Sequence, residues 1–274
     1  MWGSAAAELT KMVRRPANWA MVGVALMLGL TFTYLVPYAG VAGAESGMPN
    51  SDRGLSAMLP EQLVGNSVAG LPVFVGGIAL VLGVLAVGGE YGWGTWKTML
   101  TQGPSRSSVY AGKLAAIAAA CLVLVLSLFV SGAAASALIA SAEDQALDWP
   151  SAGELLVGVG AGWLIAVMWA ALGSLLAIAM RGLALPLGLG MVWMLVVQNL
   201  LASLAAPLID GVAELQKGLP GPNAGSLVSS LGAPGGTPGV SEIVGSGQAT
   251  LVIAGYLAVF VAAGALLLRR RDVL

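Results

Sequence analysis

Six stretches of this chain are mostly apolar and contain no Asp, Glu, Lys or Arg: Ala17–Tyr38, Ser67–Val87, Leu114–Ala140, Leu155–Met180, Leu183–Ala206 and Ala249–Leu268. Each reaches the length of about 20 residues that a helix needs to cross the hydrocarbon of a bilayer. A soluble helix of that length carries a polar face, and these do not. Composition agrees. Only 9% of the residues are charged and 58% are hydrophobic, whereas a soluble domain is about 25% charged. The sequence predicts an all-α, polytopic membrane protein with six transmembrane helices. Only Arg181-Gly182 separates the fourth run from the fifth, which predicts a tight helical hairpin.

An even number of spans puts both termini on one side. That side would hold Lys11, Arg14, Arg15, Lys97, Arg106, Lys113, Arg181, Arg269, Arg270 and Arg271, ten of the 12 basic residues. The other side keeps only Arg53 and Lys217, among most of the acids. Basic loops stay in the cytoplasm, so both termini are expected there. Trp19, Tyr91, Trp93, Trp96 and Tyr110 fall at predicted inner interfaces, and Tyr34, Tyr38 and Trp149 at outer ones, where amphipathic rings favour headgroup depth. Ala42-Gly43-Ala44 has the small-residue pattern of a signal-peptide cleavage site. The apolar run before it exceeds the usual 7–15 residues of a signal core, so the first span is expected to be retained. Richness in Ala, Gly and Val points to a high-GC bacterium and a bacterial cell membrane.

Residues 1–16 read as a separate cytoplasmic element, ahead of a six-span domain over 17–274. Trp2, Ala5, Leu9 and Met12-Val13 recur at helical spacing, with Glu8, Lys11, Arg14 and Arg15 on the polar side. That pattern predicts a flat amphipathic helix at the inner interface. In the cytoplasmic loop 88–109, Gly88-Gly89 can end the second helix. Thr95–Thr101 allows two turns of helix, Gly103-Pro104 stops it, and Ser105 suits the N-cap of the third span. In the long outer loop 207–247, Leu208–Leu219 and the patch at Leu227, Val228 and Leu231 predict short helices that dip toward the bilayer, ahead of a flexible Gly/Pro stretch.

The residue inventory removes several chemistries. With no His there is no His-based triad and no imidazole metal site. One cysteine, Cys121, permits neither an internal disulfide nor a Cys-cluster site. Gly92–Thr98 reads G-x-x-x-x-K-T, but Trp96 stands where a phosphate loop needs Gly, and the segment follows a membrane helix, not a strand. No catalytic or metal site is expected, and no cofactor held by this chain.

Glu90-x-x-x-Gly94-Thr95, then Leu100, Pro104-Ser105-Arg106 and Lys113 stand in the loop after the second span. Leu219–Asn223 reads Leu-Pro-Gly-Pro-Asn, and the chain ends with Leu267-Leu268-Arg269-Arg270-Arg271-Asp272 before its last two residues. With the six spans and the N-terminal helix, these resemble the membrane permease subunit of a type-2 ABC exporter along essentially the whole chain. The resemblance implies two permease subunits, identical or different, in the lipid bilayer, with ABC ATPase subunits docked beneath them and no nucleic acid. ATP would be bound by the partner, and Glu90, Gly94, Thr95, Leu100, Pro104 and Arg106 would couple its motion to the spans.

The residues themselves admit plainer roles. Glu90 can be a coupling residue or a carboxylate that caps the next helix. Arg106 and Lys113 can pair with Glu90, bind lipid phosphate, or only set topology. Gln198-Asn199, the most polar pair within a span, can line a translocation path or join helices. Gly158, Gly160 and Gly162 suit close helix packing. Spans without charges disfavour proton- or ion-coupled transport and suit an amphipathic, lipid-like or drug-like substrate. A secondary transporter would be expected to carry intramembrane carboxylates and an internal repeat. A non-transporting membrane scaffold is the competing reading.

Overall fold

The computed structural model describes residues 2–43, 51–96, 105–201 and 208–270. Helices account for the regular structure, with no strand among the described residues. The N-terminal helix α1 (Trp2–Arg14) ends where Pro16, which has no N–H to donate, opens the next helix. That helix, α2 (Pro16–Val41), widens into a π turn over Thr31–Leu35, just ahead of Pro37. Pro37 cannot donate to the carbonyl four residues back, so the ladder there must rearrange.

The expected second span is shifted. A short buried helix α3 (Leu63–Val68) comes first, then a turn through Pro72, then α4 (Phe74–Gly92). Pro72 lies inside the predicted Ser67–Val87 run, and its missing N–H breaks the run in two. Helix α5 (Arg106–Ala142) starts at the Ser105 cap, whose Oγ accepts from the Ser108 amide at 3.2 Å. Helix α6 (Ala152–Met180) opens with a reciprocal cap between Ser151 and Glu154. Arg181 follows in the left-handed conformation (φ 53°) and makes the tight turn into α7 (Ala184–Val197). The former outer-loop run holds α8 (Asp210–Gln216) and α9 (Pro220–Ser229), and α10 (Ser246–Arg270) ends the described chain.

Among the described residues, five helices are long and apolar enough to cross a membrane: α2, α4, α5, α6 and α10. The fifth predicted run, Leu183–Ala206, appears as the shorter apolar α7, continued by Gln198–Leu200, and residues 202–207 lie outside the described residues. Helix α6 is the hub, packed against α4, α10 and α5, while α1 lies along α5 and α9 against α10. Gly158 faces Val64 and Phe129, and Gly162 faces Leu71 and Val125, whereas Gly160 meets open space. The outer two glycines sit one turn apart on the packed face, as the run suggested. Three aromatics expected at the interface are interior instead: Tyr34 is 5% exposed, Trp96 2% and Tyr110 3%.

Candidate functional site

Where α1, α4 and α5 meet, four charged side chains close on one another. The Lys113 ammonium (α5) donates to Glu8 Oε2 of α1 at 2.8 Å, to Glu90 Oε1 of α4 at 2.9 Å, and to the Ala86 carbonyl at 3.2 Å. Those three acceptors match the three protons of an ammonium. Lys11 completes the cluster, at 2.8 Å from Glu8 Oε1 and 3.1 Å from Glu90 Oε1. Two acids and two bases sum to zero charge. The Lys113 side chain is fully buried and that of Glu90 is 4% exposed. A buried charge is tolerated only when paired and hydrogen-bonded, and each of these is. Burial, the largest single influence on Lys11, pulls its pKa down. The hydrogen bonds and charges of Glu8 and Glu90 together outweigh it and leave the value raised.

The Glu90-x-x-x-Gly94-Thr95 spacing has a local cause. Helix α4 does not stop at Gly88-Gly89 as expected but runs to Gly92. A Cβ at Gly88 would lie 2.5 Å from the Gly182 carbonyl and 2.8 Å from Leu183, so this glycine serves the approach of the α6–α7 turn. The terminating glycine is Gly94, at φ +65°, where the missing Cβ removes the penalty of the left-handed conformation. The reversal returns Thr95 to the helix end, where its hydroxyl donates to the Glu90 carboxylate. Glu90 thus holds the start of the following segment through Thr95. Trp96 then lies under the cluster, its ring 5.6 Å from the Lys113 ammonium and 5.6 Å from the Tyr91 ring. A cation over an indole face adds a further attraction.

Leu100, Pro104 and the end of the predicted Thr95–Thr101 helix lie outside the described residues. Arg106, for which pairing with Glu90 was one of three readings, reaches another element. Its guanidinium donates to the Leu268 carbonyl at 3.2 Å and so joins α5 to the last turn of α10, where unpaired carbonyls favour a cation. Glu8 was expected on the outward polar face of α1 and is instead 6% exposed. Its i,i+3 spacing to Lys11 and its place as a lone acid in a basic segment were the available signals.

Gln198 is 4% exposed and accepts from the Gly221 amide at 2.7 Å, in the first turn of α9. A Cβ at Gly221 would run into the Gln198 side chain, so the Leu-Pro-Gly-Pro-Asn stretch leaves room for this contact. Asn223 ties off the same turn by donating to the Lys217 and Leu219 carbonyls. Gln198 therefore joins α7 to the segment before the last helix. The side chain of Asn199 lies outside the described residues.

The architecture is that of a polytopic helical membrane protein whose bundle end carries a buried, neutral charge cluster wired to a loop. The family model of the ABC-2 family transporter proteins matches residues 5–197, and the chain belongs to that family. The matched range includes Glu8, Lys11, Glu90, Gly94, Thr95, Leu100, Pro104, Arg106, Lys113 and Gln198's neighbour Val197, and it stops before Leu219–Asn223 and the terminal arginines. The protein is thus an ABC transporter membrane protein of the permease kind, whose family generally works with an ABC ATPase. A comparison with curated proteins gives no match.

Proposed function

We propose that the chain is the membrane-spanning permease subunit of an ABC exporter, which moves or flips an amphipathic, lipid-like or drug-like substrate outward. The energy comes from ATP hydrolysed by a separate ABC ATPase. Two permease subunits pair in a bacterial cell membrane, each with six spans, α7 being the fifth, and with both termini cytoplasmic. Helix α1 then lies flat at the inner interface. The observation that carries this reading is the Glu8–Lys11–Glu90–Lys113 cluster. It ties the N-terminal helix, two spanning helices and, through Thr95, the start of the segment between α4 and α5 to one another, so a push on that segment is passed to the spans. Leu100, Pro104 and Arg106 complete the contact surface for the ATPase, and Gln198 and Asn199 border the translocation path.

The test is reconstitution with the ABC ATPase that copurifies with the chain. Alone, the chain should hydrolyse no ATP above an empty-membrane control. With its partner, substrate flux should follow ATP turnover. Robust hydrolysis by the chain alone, or failure to capture any ABC ATPase, would overturn the reading.

The orientation has its own test. In a Cys121→Ser background, Gln145→Cys and Ser230→Cys should react with an impermeant thiol reagent in intact cells. Both positions are exposed. Ser107→Cys, exposed at the start of α5, should react only after lysis. The reverse pattern would invert the topology that the ten-to-two basic asymmetry implies.

A further inference from the structure

Far from the charge cluster, a cavity of about 340 Å3 opens between α2, α3, the start of α4 and α5, with Gly236–Pro238 at its edge. That volume is at the small end of the roughly 300–1,000 Å3 typical of small-molecule sites. Most of the wall is apolar, with Phe32, Phe74 and Leu128 along it. The polar part is confined to one end. There Tyr34 and Ser67 are 5% and 8% exposed, and the Tyr34 hydroxyl interacts with Asn66 and Arg53. A Cβ at Gly132 would lie 3.0 Å from the Tyr34 oxygen and 3.2 Å from Ser67 Oγ, so the missing side chain lets both pack against α5.

Arg53 stands at the same end. It is half-buried and donates to Asn66 Oδ1 at 3.1 Å. Among the described residues it forms no ion pair with a carboxylate. Of the two basic residues assigned to the outer side, the other, Lys217, is paired with Glu214. A guanidinium that lines an apolar cavity, with no carboxylate paired to it among the described residues, is chemistry for an anion that carries a hydrocarbon tail.

We propose that this cavity binds a single-chain amphiphile with an anionic headgroup. The headgroup meets Arg53, and the chain lies along Phe32, Phe74 and Leu128. The assignment goes beyond the permease reading, and its readout needs neither an ATPase nor transport, so either can fail without the other.

The probe is a diazirine-bearing palmitate, with the matching long-chain alcohol as its neutral counterpart. Each is photolysed with the full chain in lipid nanodiscs, and labelled peptides are located by mass spectrometry. The carboxylate should label the segments around Phe32 and Phe74 well above the alcohol. Arg53→Gln should cut that labelling roughly tenfold, the loss of one charge-assisted hydrogen bond. Arg53→Lys should retain most of it. Unlabelled palmitate should compete and added diacyl acidic phospholipid should not. Equal labelling by the alcohol, or labelling indifferent to Arg53→Gln, would overturn the site. Competition by the diacyl lipid alone would overturn the single-chain assignment.

Discussion

Lys113→Ala should be the most destabilising single charge removal in this protein. The ammonium it deletes is fully buried and satisfies both carboxylates of the cluster. Once it is gone, Glu8 and Glu90 share only Lys11, whose side chain is 38% exposed. Breaking a buried pair from one side costs about 3–5 kcal/mol, because the remaining charge is left uncompensated. The expected readout is a fall in the thermal midpoint of roughly 10 °C in mild detergent, at 2–4 °C per kcal/mol. Glu90→Gln should do less harm to stability, since Lys113 keeps Glu8 and the amide still accepts from Thr95. The double variant Glu90→Gln/Lys113→Met should be more stable than Lys113→Met alone, because it removes charge from both sides at once. If Lys113→Ala melts with the wild type, the cluster contributes nothing to the fold. On the permease reading, Glu90→Gln should also lower flux per ATP hydrolysed more than it lowers stability, since the charge that holds Thr95 and the loop is lost. Wild-type flux and turnover in that variant would reduce the cluster to a structural clasp.

The cluster also shows what the sequence could and could not reveal. Glu90 is conspicuous in the sequence as one of few acids on the basic side, whereas Lys113 could equally only set topology. The burial of Glu8 is not visible there. Helical periodicity sorts residues by polarity, and a polar residue on an amphipathic helix turns inward only when another element brings it a partner. That partner, Lys113, lies 105 positions away. The same limit explains the glycines. Gly88-Gly89 and Gly94 are alike as letters, yet Gly88 admits the α6–α7 turn and Gly94 takes the positive φ. Hydropathy located the apolar runs well, since their signal is length and composition. It overlooked Pro72, which divides the second run, because one proline hardly alters an average over twenty residues. Gln198 was visible as an unusual polar residue within a run. Its contact with the Gly221 amide was not, because the two lie 23 positions apart.

Gly173→Ala, the addition of a single methyl group, should nearly match the loss of a buried charge. At the α4–α6 crossing the two backbones approach through glycine on both sides. A Cβ on Gly173 would run into the Leu80 carbonyl, and one on Gly83 into the Ala170 carbonyl. Ser174 spans the same gap, its hydroxyl 2.9 Å from the Ala170 oxygen and 3.4 Å from the Gly83 oxygen. Small residues are what permit this approach between membrane helices, where van der Waals contact replaces the hydrophobic effect as the driving force. The obstructing atoms belong to the backbone, so no side-chain rotamer change can absorb the methyl, and the helices must move apart. Overpacking of this kind costs about 1–3 kcal/mol and occasionally more, and a backbone clash belongs at the upper end. Gly160→Ala is the matched control on the same helix. Its Cβ would meet nothing within 4 Å, and alanine in place of an exposed helical glycine is worth about 0.5–1 kcal/mol in its favour. The two variants should therefore shift the thermal midpoint in opposite directions. Equal shifts would mean that helix propensity, not packing, governs both sites. The crossing also matters for the charge cluster, because Glu90 lies two turns beyond Gly83 on α4. A wedge at Gly173 should displace the carboxylate from Lys113 as the helices separate. Lys113→Ala should then cost less in the Gly173→Ala background than in the wild type, an energetic coupling of about 0.5–3 kcal/mol between two sites that share no contact. Strict additivity would show that α4 pivots at the crossing without carrying Glu90 along.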